Sequence, residues 1–155
     1  MNQVQFEVNK VTKCSIFSNV CSVYDPLGLI NPISIQARVV AQSCWSLNLQ
    51  WDSLVPEAIK SRWIEVVDEL EKALCLNHPR YIGISDDKNI SLHVFADAGE
   101  KSLGVVAYLV HDTISTLLTS KTKVCPLKFE SFTITHKELV AMSVTIRLAK
   151  FIITF

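Results

Sequence analysis

Apolar residues recur at helical spacing through the first half of the chain and change to alternation in the second. In VTKCSIFSNVCSVY, residues 11–24, Val11, Cys14 or Ile16, Phe17 or Val20, and Val23 or Tyr24 fall three to four positions apart, the period of one helix face. DPLGLINP then interrupts the pattern with two prolines, which predicts a tight turn followed by a second helix from about Ile33 to Asn48. Pro56 suits the first turn of a third helix. That helix is predicted to run to about Leu76, with Ile59, Trp63, Val66, Val67, Leu70, Ala73 and Leu74 as one apolar stripe. Its opposite face is charged, and Asp68 and Lys72 stand at helical pairing distance. Three amphipathic helices with short connections predict a small bundle.

Between Asn77 and Asn89 the sequence NHPRYIGISDDKN is rich in turn formers and lacks a helical period, so the domain boundary is placed there. Beyond it the period becomes two. Ile90, Leu92, Val94 and Ala96 alternate with Ser91, His93, Phe95 and Asp97; a second strand begins with Leu103, Val105, Ala107 and Leu109; a third spans Ile114 to about Thr122. Short connections make these an antiparallel meander. The loop KTKVCPLKFES leads from it to a final helix containing LVAMSVTIRLAKFIITF, residues 139–155. Arg147 and Lys150 interrupt that stretch, which is short for a membrane span and reads as a buried helix. The fold class is therefore mixed α/β.

Composition narrows the function. With 155 residues and 49% apolar content the chain can build a core. Its 15 basic and 15 acidic residues cancel, so no overall field draws it to nucleic acid or an anionic membrane. The charges are nevertheless segregated. Residues 52–87 are mainly acidic, whereas 113–155 carry Lys121, Lys123, Lys128, Lys137, Arg147 and Lys150 against Glu130 and Glu138. Five cysteines (14, 21, 44, 75 and 125) include no CxxC pair, and the N-terminus lacks a signal peptide's apolar segment. A reduced, intracellular protein, cytoplasmic or nuclear, is expected.

The candidate chemistry lies in two carboxylates. Asp97 in FADAGEKSLG stands where a strand is about to turn, and Glu138 falls in the first turn of the last helix. Hard oxygen ligands from different elements are what magnesium or manganese requires. Each carboxylate also has a plain local reading. Asp97 suits a turn, and Thr135 to Glu138 spells a capping box with Thr135 as N-cap, flanked by Ile134 and Leu139 as a hydrophobic staple. Spacing alone favours the plain readings. Lys121, Lys123 and Lys128 either neutralise phosphates or form a solvated loop. The four histidines lack zinc-site spacing, no Gly-rich phosphate loop or GxSxG elbow is present, and Trp45, Trp51 and Trp63 read as core.

Whole segments add a resemblance. VTKCSIFSNVCSVYDPLGLINPISIQARVVAQSCW, LQWDSLVPEAIKSRW, LHVFADAGEKSLGVVAYLV, SKTKVCPLK and FTITHKELVAM resemble, in that order, the polymerase region of BEL/Pao-type retrotransposon polyproteins. The similarity covers nearly all of residues 11–149, and YDPLGLINP and LHVFADA are its most specific parts. It implies an N-terminal segment (1–10), a helical thumb and connection region ending a reverse transcriptase (11–77), a linker (78–89) and the N-terminal half of a ribonuclease H-like domain (90–155). The activity implied is hydrolysis of the RNA strand of an RNA–DNA hybrid with Mg2+ or Mn2+. Asp97 matches the first catalytic aspartate and Glu138 the glutamate of the first helix.

The chain also departs from the family pattern. Gly99 stands where serine is usual, and Thr135 and His136 stand where proline and arginine are usual. A third aspartate would lie beyond Phe155, so no efficient catalysis is expected and this chain alone is expected to be inactive. The first strand would keep one open edge, suited to the remainder of the polyprotein or to another chain. The alternative is a non-catalytic module, binding a hybrid through Lys121, Lys123 and Lys128 or a protein through the bare edge. No membrane association is expected.

Overall fold

Thr12 and Ser15 exchange hydrogen bonds at the start of the first helix: the Ser15 amide donates to Thr12 Oγ1 (3.1 Å), and the Thr12 amide donates to Ser15 Oγ (2.8 Å). This reciprocal cap satisfies two amides that a helix start leaves without partners, and it launches α1, Lys13–Ser22. The computed structural model describes residues 6, 8–75, 77, 89–111, 113–129 and 132–154. Its contacts divide into two units, Met1–Pro26 with Ile30–Leu76, and Leu27–Leu29 with Asn77–Phe155. The expected linker at 78–89 lies, but for Asn89, outside the described residues.

The first unit is the predicted helical bundle. α2 spans Asn31–Ser46 and α3 spans Glu57–Leu74. Pro32 opens α2 from its first turn instead of ending the preceding loop, because its fixed φ and missing amide cost nothing there. Pro56 sits one position earlier than predicted, as the N-cap of α3 with ψ of 150°. The predicted stripe faces inward: Trp63, Val66, Val67, Leu70 and Ala73 are all buried, against Ile16 of α1 and Ala37, Val40, Ala41 and Cys44 of α2. Burying one such large side chain contributes about 1.5–3 kcal/mol.

Two tryptophans depart from the expectation. Trp63 is 0% exposed, but Trp45 and Trp51 are 40% and 48% exposed. They pack on Phe17, with ring centroids 4.0 and 5.8 Å away, and on each other. Their aromatic surface is shared within a cluster at the rim of the bundle, while Trp63 takes the core interior with its aliphatic neighbours. Lys13 lies with its Nζ 4.1 Å from the Trp45 ring centroid and donates to the Leu49 carbonyl at 3.1 Å.

The second unit holds the meander: β1 (Ile90–Ala98), β2 (Ser102–His111) and β3 (Ile114–Val124), antiparallel in the order β1-β2-β3. A bulge in β3 shifts the register between Ala107 and Tyr108. A 3₁₀ turn, Leu127–Phe129, precedes α4, Ile134–Thr154. Ala141 of α4 packs on Ala98 and Leu103, while Leu148 packs on Val105 and Ala107. The helix thus runs antiparallel to β1, with its start over the C-terminal end of that strand. Leu27 and Gly28 accept hydrogen bonds from β3: the Ser120 amide and Thr119 Oγ1 donate to the Leu27 carbonyl, and Ser120 Oγ donates to that of Gly28. Among the described residues β1 pairs only with β2, and its other edge has no strand partner among them. No described helix is long and apolar enough to cross a membrane.

Candidate metal site

Neither carboxylate has the local role that spacing favoured. Asp97 is a strand residue, paired with Gly104 in the β1–β2 ladder, and the strand continues to Ala98. The turn comes afterwards, at Gly99 to Lys101, closed by a hydrogen bond from the Gly99 amide to the Ser102 carbonyl at 2.8 Å. At the other element the cap is Thr133, two residues before the expected Thr135. The His136 amide donates to Thr133 Oγ1 (3.4 Å), and Thr133 Oγ1 lies 2.7 Å from His136 Nδ1. Helix α4 therefore starts at Ile134, Thr135 lies inside it, and Glu138 stands beyond the capping positions.

The placement of the pair follows from two periodicities. Ala98, Leu92 and Val94 face α4; by strand alternation Asp97 leaves β1 on the opposite face, with Phe95 and His93. Along α4, Lys137, Ala141 and Leu148 are buried toward the sheet. Phe151 marks the flank over β3, because Lys121 Nζ lies 5.7 Å from its ring centroid. Glu138, with Thr145 and Ala149, falls on the other flank, toward the outer edge of β1. Asp97 and Glu138 thus both belong to the C-terminal end of β1, but lie on the two sides of the sheet. Both are exposed.

The three lysines are placed differently. Lys121 pairs with Val105 and Lys123 with Leu103, so both lie on the α4 face of β3, two strand spacings or about 10 Å from β1. Lys128 is exposed in the 3₁₀ turn. They stand at the same end of the sheet as Asp97 without sharing its face. The face that carries Asp97 also carries His93, Phe95 and Tyr108, with Phe95 lying 6.4 and 6.3 Å from the other two ring centroids. His93 is exposed there.

Two exposed carboxylates at one strand end fit a hard cation that keeps most of its water, which is how magnesium is ordinarily held. Among the described residues no group of three or more His, Cys, Asp or Glu side chains converges as a metal site. One residue beside the pair escaped the sequence reading. Lys137 is 4% exposed and its Nζ donates to the Glu100 carbonyl at 2.6 Å. The signal was a lysine four positions before Ala141, on the stripe that packs against the sheet.

Comparison with known families gives one match. A family model described as "Pao retrotransposon-like RNaseH-like domain" matches residues 12–155. Comparison with curated proteins returns no match.

Proposed function

From the premise that this chain belongs to the Pao retrotransposon-like RNaseH-like domain family, we propose that Asp97 and Glu138 form part of a ribonuclease H-type metal site acting on the RNA strand of an RNA–DNA hybrid. What supports this reading is that neither carboxylate is used by a turn or a cap and that both belong to the C-terminal end of β1, Asp97 on the strand and Glu138 on the helix start that packs over it from the other face. Asp97 and Glu138 would hold Mg2+ or Mn2+, which when bound would supply charge stabilisation at the scissile phosphate and an activated water. Two carboxylates hold one ion loosely. The reading therefore expects no efficient hydrolysis by this chain alone, and a further acidic ligand from the rest of a polymerase polyprotein or from another chain. Lys121, Lys123 and Lys128 serve the hybrid's phosphates at the same end of the sheet. Hybrids are distinguished by duplex shape and sugar hydroxyls.

The test is Mn2+ binding, followed by water-proton relaxation, together with cleavage of a labelled hybrid. Binding by the parent that weakens at least tenfold in both Asp97→Asn and Glu138→Gln supports the site, and any cleavage must vanish with it. Mn2+ binding equal in parent and variants removes it.

A second reading, protein association without catalysis, is favoured by a separate observation. Leu139, Met142, Ile146 and Ile153 of α4 are 65%, 59%, 66% and 76% exposed, and with Ala149 they follow a three-four spacing. That is the seam spacing by which one helix packs along another.

A further inference from the structure

Lys137 is an unusual residue to find inside. Lysine is almost never fully buried unless paired, yet this one is 4% exposed and its ammonium donates to a backbone carbonyl, that of Glu100, 37 positions earlier in the chain. The two ends of that bond are not arbitrary. Glu100 lies in the turn that directly follows the Asp97 strand end, and Lys137 is the immediate neighbour of Glu138. The turn is itself held by the Gly99 amide on the Ser102 carbonyl, and the Lys101 carbonyl accepts from the Cys125 amide at 2.8 Å. Lys137 therefore attaches the first full turn of α4 to a hairpin that is already fixed on its other sides.

We propose that Lys137 is a positioning residue: its bond to the Glu100 carbonyl sets where Glu138 stands relative to Asp97. The physical reason is leverage. The next contacts of α4 with the sheet are apolar, at Val140, Ala141 and Val144, and apolar packing tolerates small slides that a directed, charge-assisted hydrogen bond does not. Without the bond, the helix start keeps its cap from Thr133 but loses its directed tie to β1–β2. Glu138 is carried on that turn and moves with it. This role rests on the proposed metal site, whereas the attachment itself does not.

Two effects of opposite sign, one of charge and one of position, make the idea decidable. Lys137 is a positive charge close to a proposed cation site, so acting through charge alone its removal would tighten Mn2+ binding. Acting as a strut, its removal loosens the ligand pair and weakens binding. Lys137→Met keeps the length and packing while deleting the charge and donor, and replacing a buried charge by an apolar side chain is often neutral or stabilising. A drop in Tm is therefore not what the proposal predicts.

The experiment compares the parent chain with Lys137→Met by amide hydrogen exchange and by Mn2+ binding. The proposal expects the amides of Gly99 and of the first two turns of α4 to exchange on the order of tenfold faster, with those around Leu148 unchanged and Tm retained. It also expects Mn2+ affinity to fall severalfold in the variant. Unchanged exchange at Gly99 and the helix start overturns the strut, whatever the metal does. Faster exchange with equal or tighter Mn2+ binding overturns the positioning role. Absence of Mn2+ binding in the parent counts against the metal site and against positioning for it, while the exchange result still decides the attachment.

Discussion

Asp97 stands directly opposite Gly104 in the β1–β2 ladder, so the strand that carries the proposed metal ligand faces a partner with no side chain. A Cβ built on Gly104 meets nothing closer than Thr122 Cγ2 at 3.9 Å, an ordinary contact. Gly104→Ala is therefore expected to fold and to gain about 0.5 kcal/mol, since glycine inside a strand costs backbone entropy. Gly104→Lys places an ammonium across from Asp97 at cross-strand distance and is expected to weaken Mn2+ binding about three- to fivefold while the fold persists. Equal Mn2+ titrations for parent and Gly104→Lys would argue that Asp97 is not a ligand.

The cap of α4 is testable by two threonines. Thr133 accepts the His136 amide, whereas Thr135 lies within the helix. Thr133→Ala is expected to cost about 1 kcal/mol in urea denaturation, and Thr135→Ala less than about 0.5 kcal/mol. The reverse order would restore the capping box ending at Glu138, and with it the plain reading of that carboxylate.

What the sequence disclosed and what it withheld divide along one line. Periodicity reports which face of an element is apolar, and there the reading succeeded: the stripe from Trp63 to Ala73 is buried, and Leu92, Val94, Val105 and Ala107 line the α4 face of the sheet. It does not report which of two adequate caps is chosen. Thr133 and Thr135 both precede a hydrogen-bonding residue by three positions, and the helix takes the earlier one. Nor does hydrophobicity say whether an aromatic residue lies in the core or at its rim, which is why Trp45 and Trp51 were misplaced. Pro32 was read as a breaker because the same fixed φ that interrupts a helix interior also begins a helix. The carboxylates stand out in the sequence as a candidate pair, but only the resemblance raises them above a local explanation of their spacing, which the register and the observed cap remove.

Gly28 has φ of 75°, in the left-handed region where a Cβ is costly, and its carbonyl receives Ser120 Oγ. Gly28→Ala is expected to destabilise by about 1 kcal/mol, and Ser120→Ala by a similar amount. Trp45, Trp51 and Trp63 all belong to the first unit, so tryptophan fluorescence is the wrong observable. The exchange rate of the Ser120 amide, which donates to the Leu27 carbonyl at 2.8 Å, is the direct measure and is expected to rise in Gly28→Ala.

Burial raises the pKa of the Cys44 thiol, with the charge of Lys13 and a backbone hydrogen bond opposing in part. The thiol is 0% exposed and the folded state favours its protonated form. A group whose folded pKa lies above its unfolded value contributes stability that is complete below the unfolded value and is lost as pH climbs through the folded one. The first unit is thus expected to weaken above the ordinary thiol value of 9.0. Because lysines and tyrosines titrate in the same range, the measurement is a difference: Tm against pH for the parent and for Cys44→Ala. The variant starts lower, through the cavity it leaves, and its curve falls less steeply in alkali. Parallel curves would show that the Cys44 thiol does not set the alkaline limit.

The outer stripe of α4 separates the association reading from the catalytic one. Ile146 is 66% exposed and sits between Met142 and Ala149 on the three-four seam. A charge there meets solvent in the isolated chain, so Ile146→Glu is expected to leave Tm within about 0.5 kcal/mol equivalent of the parent. If a second helix packs along the stripe, the same substitution buries an unpaired carboxylate in the seam and abolishes the contact. Light scattering across a concentration series reads the outcome: the association reading expects a parent whose mass rises with concentration and an Ile146→Glu variant that stays monomeric. A parent that stays monomeric throughout would leave the stripe to a different chain, and a variant that associates as well as the parent would show that the contact runs elsewhere, with the open edge of β1 the next surface to block. If the contact runs through the stripe, Asp97→Asn must leave the association unchanged, because that carboxylate lies on the opposite face of the sheet from α4.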